Sequence, residues 1–395
     1  MNSKKVSEFQ SVISNTGLLK YLNTVSISQP TQVQKDCIPK LLGRGNFTVL
    51  GRTGSGKTLG FLLPVIDRLK ATEKEVTDLK PGCPRAVIIA PTRELALQIF
   101  GIAKDISHYS KLRIRKLVGG DKGRTLDNLF SSQMDILVTT PDRCQRAFKN
   151  KELRPDSLKY LVLDEADQLL ENSFKKTMAE VTELLQNRGR QVFLVSASRP
   201  NGFVEIIADF FPGKTFELVG KGEENILNHK IDTHNVSLEE ADKFDYAGVF
   251  LKQLKDRNGL VFVGNKARAK RLYEEIEKAG HQKLFLIHKD LEVKERLAVA
   301  ENFKNNGGVL VSTDVFARGI DINHLQWVLN FDLPSEPEYY LHRSGRVGRA
   351  GRSGDVFNFV TSKDVKRKRR INEALITQGR EDLKISSKKK KMPKA

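Results

Sequence analysis

At 395 residues the chain is long for one domain, and 39% hydrophobic with 29% charged residues is the balance of folded, soluble domains rather than of a disordered chain. No run approaches the roughly 20 apolar residues that span a bilayer, and MNSKKVSEFQ lacks the apolar core of a secretory signal; three scattered cysteines (Cys37, Cys83, Cys144) without CxxC spacing argue against a disulfide framework or zinc site, so a soluble cytoplasmic protein is expected. The net charge of +19 suits a polyanionic partner without separating RNA, DNA, ribosome or anionic membrane, and it is uneven: residues 363–395 hold 13 Lys/Arg against 4 Asp/Glu.

In the first half, short apolar runs alternate with amphipathic helical stretches. The runs are FTVL (47–50), AVIIA (86–90), IRKLV (114–118), DILVTT (135–140), YLVL (160–163) and QVFLV (191–195). Their weak alternation predicts strands buried on both faces, as in a parallel sheet covered by helices.

The segment after FTVL, GRTGSGKT (51–58), has the form G-x-x-x-x-G-K-[ST] between a strand and a helix. Glycines let the backbone curl until its N–H groups face phosphate oxygens, and the helix start adds its positive end. Gly54, Ser55 and Gly56 form the cradle. Lys57 is placed to reach the β- and γ-phosphates, and Thr58 to coordinate Mg²⁺. YLVLDEAD (160–167) ends a buried strand with carboxylates at the edge where open α/β sheets bind ligands. Asp164 can hold Mg²⁺ through its water shell, and Glu165 can orient and deprotonate an attacking water.

Residues 213–230, with glycines, charges and weak periodicity, mark a divide. The second half repeats the plan with IDTHNV (231–236), LVFVG (260–264), KLFLIH (283–288), GVLVS (308–312), WVLNF (327–331) and DVFNFV (355–360). Two α/β domains follow: residues 1–213 and 231–370, joined by a linker at 214–230 and trailed by a basic, disordered tail at 371–395. HRSGRVGRAGR (342–352) spaces arginines by three, on one face if the segment is helical. That face reads either as a nucleic-acid contact or as arginine fingers for a γ-phosphate held by the first domain.

Taken in order, QPTQVQ (29–34), GRTGSGKT, PTRELALQ (91–98), GG (119–120), TPDR (140–143), DEAD (164–167), SAS (196–198), VFVGN (261–265), STDVFARGID (312–321) and HRSGRVGRAGR resemble the motif set of the DEAD-box RNA helicases of superfamily two, across about residues 9–360. The resemblance implies an α/β fold of two tandem RecA-like domains, each a mostly parallel sheet flanked by helices, with a cleft between them. It implies ATP-dependent local unwinding of RNA or remodelling of RNA–protein complexes, with ATP and Mg²⁺ as cofactors. Gln34 then reads the adenine edge, Phe9 packs near the base, Asp321 contacts the ribose, His342 lies in the nucleotide site, and Arg346 and Arg349 are the fingers. Lys57, Glu165, Arg346 and Arg349 carry the catalysis. RNA backbone contacts fall to Thr92, Arg93, Gly120, Thr140 and Arg143 in the first domain, and to Arg296, Thr313 and Asp314 in the second. Ser196 and Ser198 couple the two sites. A monomer acting on single-stranded or duplex RNA is implied, with ribosomal or other ribonucleoprotein assemblies as candidate partners.

Several positions depart from the family pattern: Ser26, Ile27, Gly51, Asp142, Ser198, Lys289 and Val293. The ATPase set is intact, so altered behaviour is expected in RNA binding and coupling. Two rival readings are a superfamily-two DNA helicase and an ATP-binding RNA clamp with weak turnover.

Overall fold

The computed structural model describes residues 8–385, apart from 52–53, 76–78, 122, 171–173, 186–188, 198, 200–201, 221–230, 255–256, 289, 314–324, 349–352 and 378–379. The chain divides into two compact units, Met1–Asn225 and Ile226–Ala395.

All the apolar runs singled out in the sequence form strands. In the first unit these are β1 (Asn46–Leu50), β2 (Ala86–Ile89), β3 (Ile114–Leu117), β4 (Ile136–Thr139), β5 (Tyr160–Asp164) and β6 (Gln191–Ser196). A further strand, β7 (Phe216–Val219), pairs with β1. The sheet order is β3-β4-β2-β5-β6-β1-β7, parallel throughout. The two faces of the sheet explain why the runs lack alternation. Ala86 and Ile88 of β2 enter one apolar cluster, whereas Val87 and Ile89 enter the other. Each face needs its own apolar set, so successive residues are all hydrophobic.

The second unit repeats the arrangement with β8 (Ile231–Ser237), β9 (Gly259–Phe262), β10 (Leu284–Ile287), β11 (Val309–Ser312), β12 (Trp327–Asn330) and β13 (Gly354–Val360). Their order is β10-β11-β9-β12-β13-β8, again all parallel. Leu260 and Phe262 of β9 face one cluster and Val261 the other.

Two expectations are corrected. The interval 214–230 does not serve as linker from its start, because β7 occupies 216–219. The disorder expected from residue 371 onward does not hold either. A helix runs over Val365–Thr377, a short turn follows at Glu381–Leu383, and Leu375, Leu383 and Ile385 are buried in the second unit's core. Residues 386–395 lie outside the described residues. Among the described residues, no helix is long and apolar enough to cross a membrane.

Candidate functional site

Parallel strands bring their carboxyl ends to one edge, and the first sheet divides that edge in two. The neighbours β5, β6 and β1 lead into DEAD, SAS and the phosphate loop; β3, β4 and β2 lead into GG, TPDR and PTRELALQ.

On the phosphate side, the Gly51 N–H donates to the Ser196 carbonyl oxygen at 3.1 Å, so the loop leaves β1 locked to the end of β6. Ser196 itself is fully buried, and Ser198 lies outside the described residues. Gly54 and Gly56 take left-handed φ values of +77° and +91°, which glycine adopts without penalty. Lys57 opens the helix Lys57–Ala71, its ammonium donates to the Gly51 carbonyl oxygen, and Thr58 follows in the first helical turn. The Ser55 hydroxyl oxygen is buried without a hydrogen-bond partner among the described residues. A buried polar atom that the fold leaves unsatisfied suits a site completed by a ligand.

β5 places Asp164 beside this loop electrostatically: burial pushes its carboxyl up to about 6, with the Lys57 ammonium pulling the other way. Glu165 caps the short helix Ala166–Leu169 in a left-handed conformation, φ +53°, unusual for a side-chain-bearing residue. Its Oε2 accepts a hydrogen bond from Gln168 Nε2 at 2.8 Å, and its N–H donates to Asp164 Oδ1 at 3.0 Å. The helix start and the paired acidic residues are therefore one feature. No group of three metal-ligating side chains occurs among the described residues. Mg²⁺ needs none: it keeps several waters and takes one or two carboxylates plus phosphate oxygens. Thr58 and the buried Asp164 fit that demand.

The adenine-side residues separate. Gln34 is buried, 2% exposed, in the helix Gln32–Leu41. Its Oε1 accepts the Thr31 N–H at 3.0 Å, and its Nε2 donates to the Gly56 carbonyl oxygen at 2.9 Å. Thr31 Oγ1 adds a bond to the Ser55 carbonyl oxygen at 2.7 Å. Thr31 is thus a site residue that the sequence reading missed, although the T-x-x-Q spacing of a capping box was there to find it. Phe9 is fully buried, in the core cluster that also holds Val33, Cys37 and Ile38 of the helix carrying Gln34.

On the other half of the edge, Thr92 caps the helix Arg93–Ser110, with Oγ1 accepting the Leu95 N–H at 3.2 Å. The Arg93 guanidinium lies against Gly120: a Cβ there would fall 2.3 Å from Nη1. Gly120 has φ +93°, so the turn and the close approach both call for glycine. Thr140 precedes the helix Pro141–Lys149, whose first turn carries Arg143, partly exposed, and the exposed Asp142. β3, β4 and β2 therefore bring Gly120, Thr140 and Thr92 with Arg93 to adjacent strand ends.

In the second unit, Thr313 follows β11, and Arg296 sits 9% exposed in the helix Val293–Asn306. Asp314, Lys289, Asp321, the His342 side chain and Arg349 lie outside the described residues. The arginine run does not form one helical face. The helix Pro337–Ser344 stops before Gly345, and Arg346 follows in a turn, 7% exposed. Arg343 is structural: it donates to Asn330 Oδ1 at 2.8 Å and to the Asp332 carbonyl oxygen at 2.7 Å, over the Phe262 ring. Asp332 gathers Lys243 Nζ (2.8 Å), both Arg268 donors (2.9 and 2.8 Å) and the Gly264 N–H (2.9 Å) at the ends of β9 and β12.

Known proteins match this layout. The DEAD/DEAH box helicase family matches residues 31–206, and the helicase conserved C-terminal domain matches residues 242–351. The ATP-dependent RNA helicase eIF4A of Candida albicans is 32% identical over 350 residues, covering 88% of this chain and 85% of its own length. The ATP-dependent RNA helicase SrmB of Haemophilus influenzae is 30% identical over 367 residues, covering 91% and 81%. Among solved structures, S. cerevisiae Dbp5 bound to RNA and ADP BeF3 is 25% identical with a TM-score of 0.78, covering 95% of this chain and 94% of that one. With two RecA-like domains and this motif order, the chain belongs to the DEAD/DEAH box helicase family.

Proposed function

We propose that this chain is an ATP-dependent RNA helicase that separates short duplexes or remodels RNA–protein complexes. The observation that carries the reading is the shared sheet edge. The loop around Lys57 and the carboxylates after β5 lie at one set of strand ends, and Arg93, Gly120 and Thr140 at the adjoining set. A nucleotide on the first set and an RNA backbone on the second would be linked by one rigid sheet.

Gly54, Ser55, Gly56 and Lys57 bind the phosphates. Thr58 and Asp164 hold Mg²⁺, which when bound supplies charge neutralisation to the triphosphate. Glu165 orients the attacking water and accepts its proton; its bond to Gln168 fixes the carboxylate's direction. Arg346 and Arg349 of the second domain supply the cations that phosphoryl transfer needs as charge spreads over the γ-phosphate. RNA is gripped by its backbone, through Thr92, Arg93, Gly120, Thr140, Arg143, Arg296, Thr313 and Asp314, so binding carries little base information. ATP and RNA together favour a domain arrangement that accepts a bent single strand and rejects an A-form duplex. That differential affinity drives melting.

The test is ATP hydrolysis with and without RNA, run beside duplex unwinding. RNA should stimulate turnover, and Glu165→Gln should reduce it by roughly 10²–10⁴-fold, the range for loss of a positioned general base. Equal turnover without RNA, or an unimpaired Glu165→Gln, would overturn the proposal.

A further inference from the structure

The last long helix of the second unit carries charge that neither its packing nor the motif residues use. Ile371 and Leu375 of Val365–Thr377 point into the core, with 0% and 1% exposure. Lys366, Arg367, Arg369 and Arg370 are exposed, as is Lys363 in the preceding turn. Positions 363, 366, 367 and 370 have the i, i+3, i+4, i+7 spacing of a single stripe.

A solvated helix face usually mixes charge signs, and here the balance fails. Arg367 pairs with Asp364 (3.3 Å), Arg369 with Glu373 (2.8 Å) and Arg370 with Glu336 (2.8 Å). Lys363 and Lys366 have no carboxylate partner among the described residues. The paired arginines still show 51%, 80% and 56% of their side chains to solvent, so each pair is weakly held.

The chain then returns to the same helix. The Ile385 N–H donates to Asn372 Oδ1 at 2.9 Å, and Asn372 Nδ2 donates to the Ile385 carbonyl oxygen at 3.0 Å. The Tyr340 hydroxyl holds the Leu383 carbonyl oxygen at 3.0 Å. The described chain therefore ends against this helix, and SSKKKKMPKA, with five lysines, follows it in the sequence.

We propose that this stripe is a second RNA-binding surface, gripping phosphodiester backbone outside the motif track. The proposal rests on the helicase reading. The stripe offers point charges and guanidinium forks but no base-reading pocket, so it binds without sequence preference. A membrane surface fits less well, because an interfacial helix must insert its apolar face, and here Ile371 and Leu375 are already buried in the protein core. A strand let go by the motif track stays tethered, which raises its effective concentration for another cycle.

The experiment compares the full chain with the triple variant Lys363→Gln, Lys366→Gln, Arg370→Gln, all at exposed positions of the stripe, measuring affinity for single-stranded RNA across a salt series. The plot of log affinity against log salt should become shallower by about 2, because each phosphate that is no longer neutralised on a single strand removes roughly 0.7 from the slope. RNA-independent ATP hydrolysis should stay the same. Glu336→Gln, which frees Arg370, should move affinity the opposite way. An unchanged slope in the triple variant, while wild-type hydrolysis is RNA-stimulated, overturns the stripe alone. No RNA stimulation in the wild type overturns the helicase reading and the stripe with it. Binding to phosphatidylserine vesicles that the triple variant loses, with RNA affinity kept, also overturns it.

Discussion

Gln34 Nε2 donates to the carbonyl oxygen of Gly56 at 2.9 Å, tying a helix that starts twenty-odd residues upstream to the turn of the phosphate loop. A Cβ on Gly56 would meet the same nitrogen at 2.5 Å, so the two residues are fitted to each other. One amide hydrogen and one lone pair are committed within the fold, to Gly56 and to Thr31. One of each remains for a base edge.

Gln34→Ala should therefore loosen the loop as well as any adenine contact. Loss of the Thr31 N–H bond to Gln34 Oε1, the reciprocal half of the capping box, costs about 0.5–1.5 kcal/mol of stability. Gln34→Glu should be worse for nucleotide, because an acceptor-only carboxylate would face the Gly56 carbonyl oxygen. Titration with a fluorescent ATP analogue should show affinity falling in the order wild type, Ala, Glu. Wild-type affinity in the Glu variant would show that the tether does not shape the loop.

Gly120 makes a second prediction. Its φ of +93° and its contact with Arg93 both oppose a side chain. Gly120→Ala should cost about 1–2 kcal/mol in backbone strain and push the Arg93 guanidinium aside. RNA affinity should fall by roughly tenfold, the equivalent of about 1.4 kcal/mol. ATP hydrolysis without RNA should be unaffected, because the phosphate loop lies at the other half of the sheet edge. A parallel fall in RNA-independent turnover would show that Gly120 supports the whole domain rather than the RNA track.

These residues also mark what could be read from the chain alone. The buried strands were legible because two-faced burial writes itself as continuous Val, Ile and Leu. The phosphate loop and DEAD were legible because their chemistry is local to a few successive residues. β7 was not: it is an edge strand paired only with β1, and Glu217 and Leu218 are exposed, so it shows neither a run nor an alternation. The end of the helix at Ser344 follows from Gly345, but the spacing of the arginines hid it. Phe9 and Arg343 carry roles set by neighbours distant in sequence, Ile38 and Asn330 among them. The carboxyl-terminal anchor was hidden for the same reason: Leu383 and Ile385 are isolated apolar residues in a basic stretch, and only Tyr340 and Asn372 give them a place.

That anchor predicts where the chain can be cut. Ile371, Leu375, Leu383 and Ile385 are each at most 1% exposed. Full burial of such a side chain is worth about 1.5–3 kcal/mol. Removing residues 386–395 should leave the thermal unfolding of the second unit where it was. Removing 371–395 takes away all four side chains and the bonds to Tyr340 and Asn372, and should abolish its cooperative transition in calorimetry. A normal transition after the longer deletion would mean that the helix and its anchor dock without stabilising the core.

The cluster around Asp332 yields a pH-dependent prediction. Burial alone would raise this carboxyl, but the Arg268 hydrogen bonds and the Lys243 ammonium outweigh it and hold it below the ordinary carboxylate range. A group depressed in the folded state contributes fully above its unfolded value, near 3.9, and loses that contribution as pH falls through the lower folded value. Lys243 is only 1% exposed, so Asp332→Asn leaves a buried ammonium without its closest counterion. At neutral pH the variant should be destabilised by about 3–5 kcal/mol, the usual penalty for removing one member of a buried pair. The gap should begin to narrow as pH falls below the unfolded value and close only below the lower folded value, where the wild-type carboxyl is protonated and resembles the amide. Urea unfolding of both proteins from pH 7 downward reads this directly. A gap that stays constant through the acid range would mean that the cluster holds the ends of β9 and β12 by shape rather than by the charge on Asp332.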